Sequence, residues 1–278
     1  MCTVTIITLR DREDRPRGYR LVSSRDEQRD RPPAEPPAWH SNVDAVPEAI
    51  WPRDTEGGGT WIAANTAGLT LSILNLNLEP PPDLRGLDLH TRGRIIPDLI
   101  AAERAEQAMD RLGGLALDRL APFRLVAVDG GGGGGAEPSV FVARWDREAL
   151  EIRAIEVGPW CFVSSGLGDS KVVPRLDLFE QMVARPGPTP ARQDAFHGHR
   201  WPDRPQISVL MSRPDARTVS ITSATCRPVP FGAGSVREAV RMEHRLVEEE
   251  ACPDGDGAPP VPADPFAPGQ SPGRIDHA

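Results

Sequence analysis

The sequence predicts an α+β fold of antiparallel sheets flanked by helices. Two observations carry it. Short runs rich in β-branched and aromatic residues recur along the chain as successive hairpins, separated by Gly, Pro, Asn and Asp. Helical periodicity appears only after the first strands, after the middle strands and near the end. Hairpin-connected strands with helices between the groups fit sheets covered by helices on their outer faces.

Thr3 to Leu9 alternates β-branched residues and reads as the first strand, and Tyr19 to Ser23 as its returning partner. Arg25 to Trp51 is dense in proline (Pro32, Pro33, Pro36, Pro37, Pro47) and reads as a long loop, a length usually reserved for function or disorder. Leu69 to Leu74 forms a strand of the next hairpin, entered through Asn65-Thr66-Ala67-Gly68 and closed by Asn75. Ile96, Leu99, Ile100 and Met109 share helical spacing, so a helix is expected over 95–112, with Pro97 in its first turn.

Phe123 to Asp129 and Ser139 to Trp145 are strands joined by a glycine run, Gly130 to Gly135. That run leads into a strand rather than a helix N-terminus, so it reads as a hairpin tip and not as a phosphate loop. Leu150 to Val157 and Trp160 to Ser164 add strands, and Val173 to Val183 reads as a helix opened by Pro174. Arg185 to Arg204 reads as irregular because of its prolines. Gln206 to Met211 and Thr218 to Thr225 read as a last hairpin, and Ser235 with Glu238 as the capping box of a final helix to about Glu250. The expected organisation is one domain over 1–252 and a disordered Pro/Gly/Asp-rich tail over 253–278.

The chain has 278 residues, 39% hydrophobic, enough for a sizeable core. A formal net charge of -8 argues against a nucleic-acid partner held through phosphates. No apolar stretch is long enough to span a bilayer, and no secretory leader pattern opens the chain. Cys2, Cys161, Cys226 and Cys252 form no C-x-x-C pair. The expectation is a cytoplasmic protein with reduced thiols. His197 and His199 have no third ligand at a recognised spacing, so no metal and no cofactor are expected.

Chemistry concentrates at the chain start. Loss of Met1 would leave Cys2 with a thiol and a free α-amine, whose intrinsic pKa values lie near ~8.5 and ~8. Together they form the N-terminal version of a nucleophile–base pair. The second strand then delivers Ser24-Arg25-Asp26-Glu27 back towards that start. Asp26 is expected to turn inward to Cys2, with Arg25 and Glu27 ordering the loop. Trp61 reads as core or pocket wall.

Met1-Cys2, Ser24-Arg25-Asp26-Glu27 with Arg31-Pro32, Gly58-Gly59-Thr60-Trp61, Asn75, Gly93-Arg94 and Arg217-Thr218 occur in an order and spacing that resembles the NRDE family, also called the transport and Golgi organisation protein two family. The resemblance implies a four-layer αββα sandwich like that of N-terminal-nucleophile hydrolases. It implies Cys2 as nucleophile, Asp26 orienting its amine, Asn75 in the oxyanion hole and Arg217 beside the thiol. Arg25, Trp61 and Ser165 are the accompanying binding residues. Two positions depart from the family pattern, Ser24 and Ser165 standing where it has Asn. The implied activity is hydrolysis of a non-peptide C–N amide or related acyl bond in a small molecule. The alternative is a non-catalytic carrier for haem or another hydrophobic ligand, since eukaryotic members are associated with haem trafficking.

Overall fold

The structure is a computed structural model that describes residues 2–40, 47–130, 136–227 and 236–248. The glycine tip beyond Gly130, the Ser235 cap and the 253–278 tail lie outside these residues. Two antiparallel sheets face each other. The first contains β1 (Cys2–Arg10), β2 (Pro16–Gln28), β10 (Trp160–Ser164), β11 (Ala216–Cys226) and β12 (Val240–Leu246), in the order β10-β1-β2-β11-β12. The second runs β3-β4-β5-β6-β7-β8-β9: β3 (Glu35–His40), β4 (Ala49–Arg53), β5 (Ile62–Asn65), β6 (Thr70–Asn75), β7 (Phe123–Asp129), β8 (Ser139–Trp145) and β9 (Leu150–Ile155). α1 (Ile95–Leu99) and α2 (Ala105–Leu112) cover the second sheet. α3 (Pro174–Phe179), extended by a π-helical turn over Glu180–Ala184, and α4 (Pro190–His197) cover the first. The expected αββα layering is therefore present.

Alternation along the strands builds the interior. Val4 and Ile6 of β1 and Leu21 of β2 face the second sheet, where they meet Leu71, Leu74 and Val126 in one buried cluster. Ile7 and Leu9 join Phe179, Val183, Phe196 and Val209 under the outer helices. Tyr19, the only tyrosine, pins the two sheets together. Its buried hydroxyl lies 2.9 Å from the Gly68 carbonyl, 2.8 Å from Thr70 Oγ1 and 3.0 Å from the Val128 carbonyl.

Five expectations are corrected. The proline-rich segment after Arg25 is not all loop, because β2 continues to Gln28 and β3 and β4 follow. β3 is an edge strand with a register irregularity between Glu35 and Ala38, the setting in which Pro36 and Pro37 are tolerated. The single helix over 95–112 is two helices. Asn65 Nδ2 donates to the carbonyls of Ile100 and Ala102 at 2.7 Å each, and the Asp129 carboxylate accepts from Ala105 N at 2.8 Å, so side chains hold the break from both sides. The 185–204 segment contains α4, whose Pro190 sits in the first turn, where proline lacks only an N–H that would go unused. The arm at Gln206 is a 3-10 turn (Pro205–Ile207) with bends, and β11 pairs instead with β2 and β12. The final helix is β12, which alternates Val240 and Met242 against Arg241 and Glu243 and packs its apolar face on the core.

α4 docks through polar side chains. Arg20 donates to Gln193 Oε1 at 3.0 Å and Asp194 Oδ1 at 2.7 Å, and Gln193 Nε2 donates to Thr5 Oγ1 at 2.8 Å. The fully buried His197 bridges Thr5 Oγ1 (2.7 Å) and Ser24 Oγ (2.6 Å) through its two ring nitrogens. Burial, with Arg20 and Arg175 nearby, pushes this imidazole down to about 3. The ordinary value is near ~6.5, so unfolding takes up a proton below that pH. The contribution of His197 to stability is present above about pH 6.5 and is lost as pH falls towards 3, at up to ~1.4 kcal/mol per pH unit. Urea midpoints across that range should fall less steeply for His197→Gln than for the parent; parallel curves would refute the assignment.

Candidate active site

Cys2 opens β1, which is hydrogen-bonded on both edges. Its register partners are Arg25 on β2 and Ser164 on β10. The residue is only 7% exposed. Burial pushes its thiol up, the Asp26 carboxylate adds to that, and the Arg25 cation opposes it. The main-chain amide of Asp26 near the sulfur also opposes it.

Alternation on β2 reverses the expected directions of its side chains. Arg25, paired with Cys2, shares its face between the sheets. The Asp26 carboxylate is on the other face, under the helices, where Thr218 Oγ1 donates to Oδ1 at 2.6 Å. Arg175 of α3 lies 3.7 Å from Oδ2 and also donates to Thr3 Oγ1 (2.8 Å) and the Ile207 carbonyl (3.0 Å). Burial raises the Asp26 carboxyl and lowers the Arg175 guanidinium, and each restrains the other's shift. Asp26 follows the partner of Cys2 in an antiparallel pair, so it stands beside the amino-terminal end of Cys2. Arg175 carries no motif in the sequence; only the expectation of a helix at Pro174 pointed to its element.

On the inner face Arg25 lies 4.5 Å above the ring of Trp61, a cation–π contact. Its guanidinium also meets Asp54 Oδ2 at 3.1 Å and Glu27 Oε2 at 3.5 Å. Arg31 reaches the same Asp54 oxygen at 2.7 Å, while Oδ1 accepts from Glu56 N (3.1 Å) and Gly57 N (3.3 Å). Asp54 thus ties the Arg25–Arg31 segment to the Gly-Gly-Thr-Trp loop. That loop presses on the Gly-Arg motif: a Cβ at Gly59 would lie 2.3 Å from the Gly93 carbonyl group, and Thr60 N donates to Gly93 O at 3.0 Å. An open hollow of about 480 Å³ beside it, lined by Gly57, Gly58, His90, Thr91 and Arg94, does not include Cys2.

Asn75 ends β6, half-buried, and β6 packs across β1 and β10. Two residues on, Asn77 Nδ2 donates to Ser164 Oγ (3.1 Å) and Asp169 Oδ1 (2.9 Å), which brings an amide against the register partner of Cys2. Ser165 is buried there too, its N–H donating to Asp169 Oδ1 at 2.9 Å. Arg217 is turned elsewhere and donates to the Val247 carbonyl at 2.8 Å, so its neighbour Thr218 is the residue of that pair that reaches Asp26. Among the described residues no cluster of His, Cys, Asp and Glu is set to hold a metal. Nor is any helix among them long and apolar enough to cross a membrane.

Two facing antiparallel sheets with outer helices and a cysteine opening a central strand define the N-terminal-nucleophile hydrolase fold. The structure is similar to a Caenorhabditis elegans N-acylethanolamine-hydrolyzing acid amidase ortholog, at 10% identity and TM-score 0.52, covering 88% of this chain and 100% of that one. Penicillin V acylase from Agrobacterium tumefaciens also matches, at 12% identity and TM-score 0.45 over 81% of this chain and 82% of that one. No curated protein matches the sequence. The profile of the Transport and Golgi organisation 2 family matches residues 1–190, and the chain belongs to that family.

The Asp26–Arg175 pair has a measurable signature. Both side chains are essentially unexposed, so Arg175→Met strands a buried carboxylate and should cost about 3–5 kcal/mol in urea unfolding. Adding Asp26→Asn should recover part of that loss; strictly additive losses would show that the two side chains do not act as a pair.

Proposed function

We propose that the protein is an N-terminal cysteine hydrolase of a non-peptide C–N amide or related acyl bond in a small molecule. The observation that supports this reading is the position of Cys2 at the start of a strand held on both edges, across from Arg25 and next to Asp26. Burial alone disfavours the thiolate, so the reaction needs a local base. Removal of Met1 supplies one, an α-amine on the same residue beside Asp26.

The amine takes the thiol proton and Sγ bonds to the acyl carbon, whose carbonyl π electrons move to oxygen. The oxyanion is met by N–H donors, with Asn75 the amide at this end of the sheet, whereas both N–H groups of Asn77 are already bonded to Ser164 and Asp169. Collapse breaks the C–N bond, the leaving amine receives the proton from the α-ammonium, and water then hydrolyses the thioester. Removing one oxyanion donor typically costs about 2.7–4 kcal/mol of transition-state stabilisation. The amidase named among the similar structures supports this reading through its fold alone.

A second reading, a carrier for haem or another hydrophobic ligand, is favoured by the near-complete burial of Cys2. Intact mass before and after iodoacetamide at near-neutral pH separates the two. Hydrolysis requires loss of Met1 and labelling of Cys2 well ahead of the half-buried Cys161 and the buried Cys226, both thiols held up by desolvation. Cys2→Ala should then abolish turnover of acyl amides. A retained Met1, or turnover unchanged in Cys2→Ala, would overturn the nucleophile; a saturable Soret shift on haem titration would then support the carrier.

A further inference from the structure

The inner face of the five-stranded sheet carries a polar patch that the nucleophile does not use. Its positions follow from the register. One row across the sheet reads Ser164, Cys2, Arg25, Ser220, and the next reads Phe162, Val4, Ser23, Thr222, His244. Residues paired across strands, or two apart along one, project from the same face. Ser23, Ser220, Thr222 and His244 therefore share the face of Cys2 and Arg25. Trp61 faces them from the other sheet, 6.0 Å from the His244 ring and beneath Arg25.

Four atoms of this patch, Ser23 Oγ, Ser220 Oγ, Trp61 Nε1 and His244 Nε2, are buried without a hydrogen-bond partner among the described residues. Ser23, Ser220 and Trp61 are 0%, 1% and 6% exposed. Buried polar atoms in native proteins are nearly all bonded, and a group of orphans at one place calls for an explanation. The rest of the patch is satisfied: Thr222 Oγ1 and His244 Nδ1 lie 2.8 Å apart, and Arg25 is held by Asp54. Burial and the Arg25 cation hold His244 below its usual range.

The chemistry of the orphans selects a partner. An indole N–H only donates, and each hydroxyl has a proton to give. Arg25 is the cation of this face and is ion-paired with Asp54 and Glu27, and Arg92 is a further electrostatic neighbour of Cys2. An acceptor-rich anion satisfies this set, and a carboxylate has about four lone-pair sites for it. Ser23 is the diagonal neighbour of Cys2, roughly 7–8 Å away in backbone terms. With both side chains reaching inward, that gap suits a carboxylate a few bonds from an acyl carbon at Sγ.

We propose that Ser23, Ser220, Trp61 and His244 form a subsite that binds the carboxylate of an acyl compound whose reacting carbon lies at Cys2. This rests on the nucleophile reading for the position of the acyl group. The atoms are closed to solvent, so the ligand enters by parting the side chains over them.

The test uses full-length Cys2→Ala protein, which separates binding from turnover. N-Benzoylglycine should shift the indole N–H resonance of Trp61, assigned with Trp61→Phe, and should bind at least ~10-fold more tightly than the uncharged N-benzoylglycinamide. Ser220→Ala should erase that preference. It should also raise the Tm of the ligand-free protein, because it removes a hydroxyl that is buried without a partner. Equal affinity for the acid and the amide, an unmoved Trp61 resonance, or a lower Tm in Ser220→Ala (a hydroxyl already satisfied by water) would overturn the subsite. Turnover retained by Cys2→Ala would overturn the nucleophile alone, since the carboxylate preference is measured without it.

Discussion

The structure depends on one constraint: the first strand of the chain is interior to a sheet. β1 is bonded by β10 on one edge and β2 on the other, so the residue that opens it cannot fray as termini ordinarily do. Its other side chains commit both faces, Val4 and Ile6 to the space between the sheets and Thr3, Thr5 and Ile7 to the helical layer. Cys2 is positioned because everything after it is buried. The apolar contacts supply the bulk of this, and the polar ties of Thr3 to Arg175 and Thr5 to His197 and Gln193 fix the register against the helices.

β2 then divides its labour by alternation. Arg25 turns in towards Cys2, Trp61 and Asp54, and Asp26 turns out to Arg175 and Thr218. A motif of adjacent charged residues thereby serves two layers at once. The inner half connects to the Gly-Gly-Thr-Trp loop through Asp54, and that loop to Gly93 through a contact that leaves no room for a Cβ at Gly59. The outer half connects to α3. Motifs far apart in sequence are thus joined through a few atoms around β2.

Much of this was legible in the sequence, and the misses have particular causes. Strand alternation in the first residues and the hairpins before the last could be read because local pattern and global fold agree there. The break after α1 could not, because Asn65 and Asp129, which hold it, lie outside the helical window and act through tertiary hydrogen bonds. β12 was legible in principle, since Val240, Met242 and His244 alternate with charged residues, but a Ser-x-x-Glu spacing outweighed period two. At the site, Cys2 and the Arg25-Asp26 pair were visible as chemistry, while their directions depended on register. Arg175, Asn77 and His244 come from segments with no motif, and only the packing of α3, β6 and β12 brings them near β1 and β2.

Register also changes the weight of the two departures from the family pattern. Ser24 lies between Arg25 and Ser23 and faces the helices, with its Oγ 2.6 Å from His197 Nδ1. An asparagine there would have to share that space with an imidazole already bonded on its other nitrogen to Thr5. The serine is thus matched to α4, on the face of the sheet opposite the Cys2 side chain. Ser165 is a different case, one residue past the partner of Cys2, and its main-chain N–H is already committed to Asp169. The amide held nearest to that partner is Asn77, bonded to both Ser164 and Asp169. An amide lost at 165 therefore leaves another amide within the same hydrogen-bonded group, and both N–H donors of Asn77 are already committed to that group.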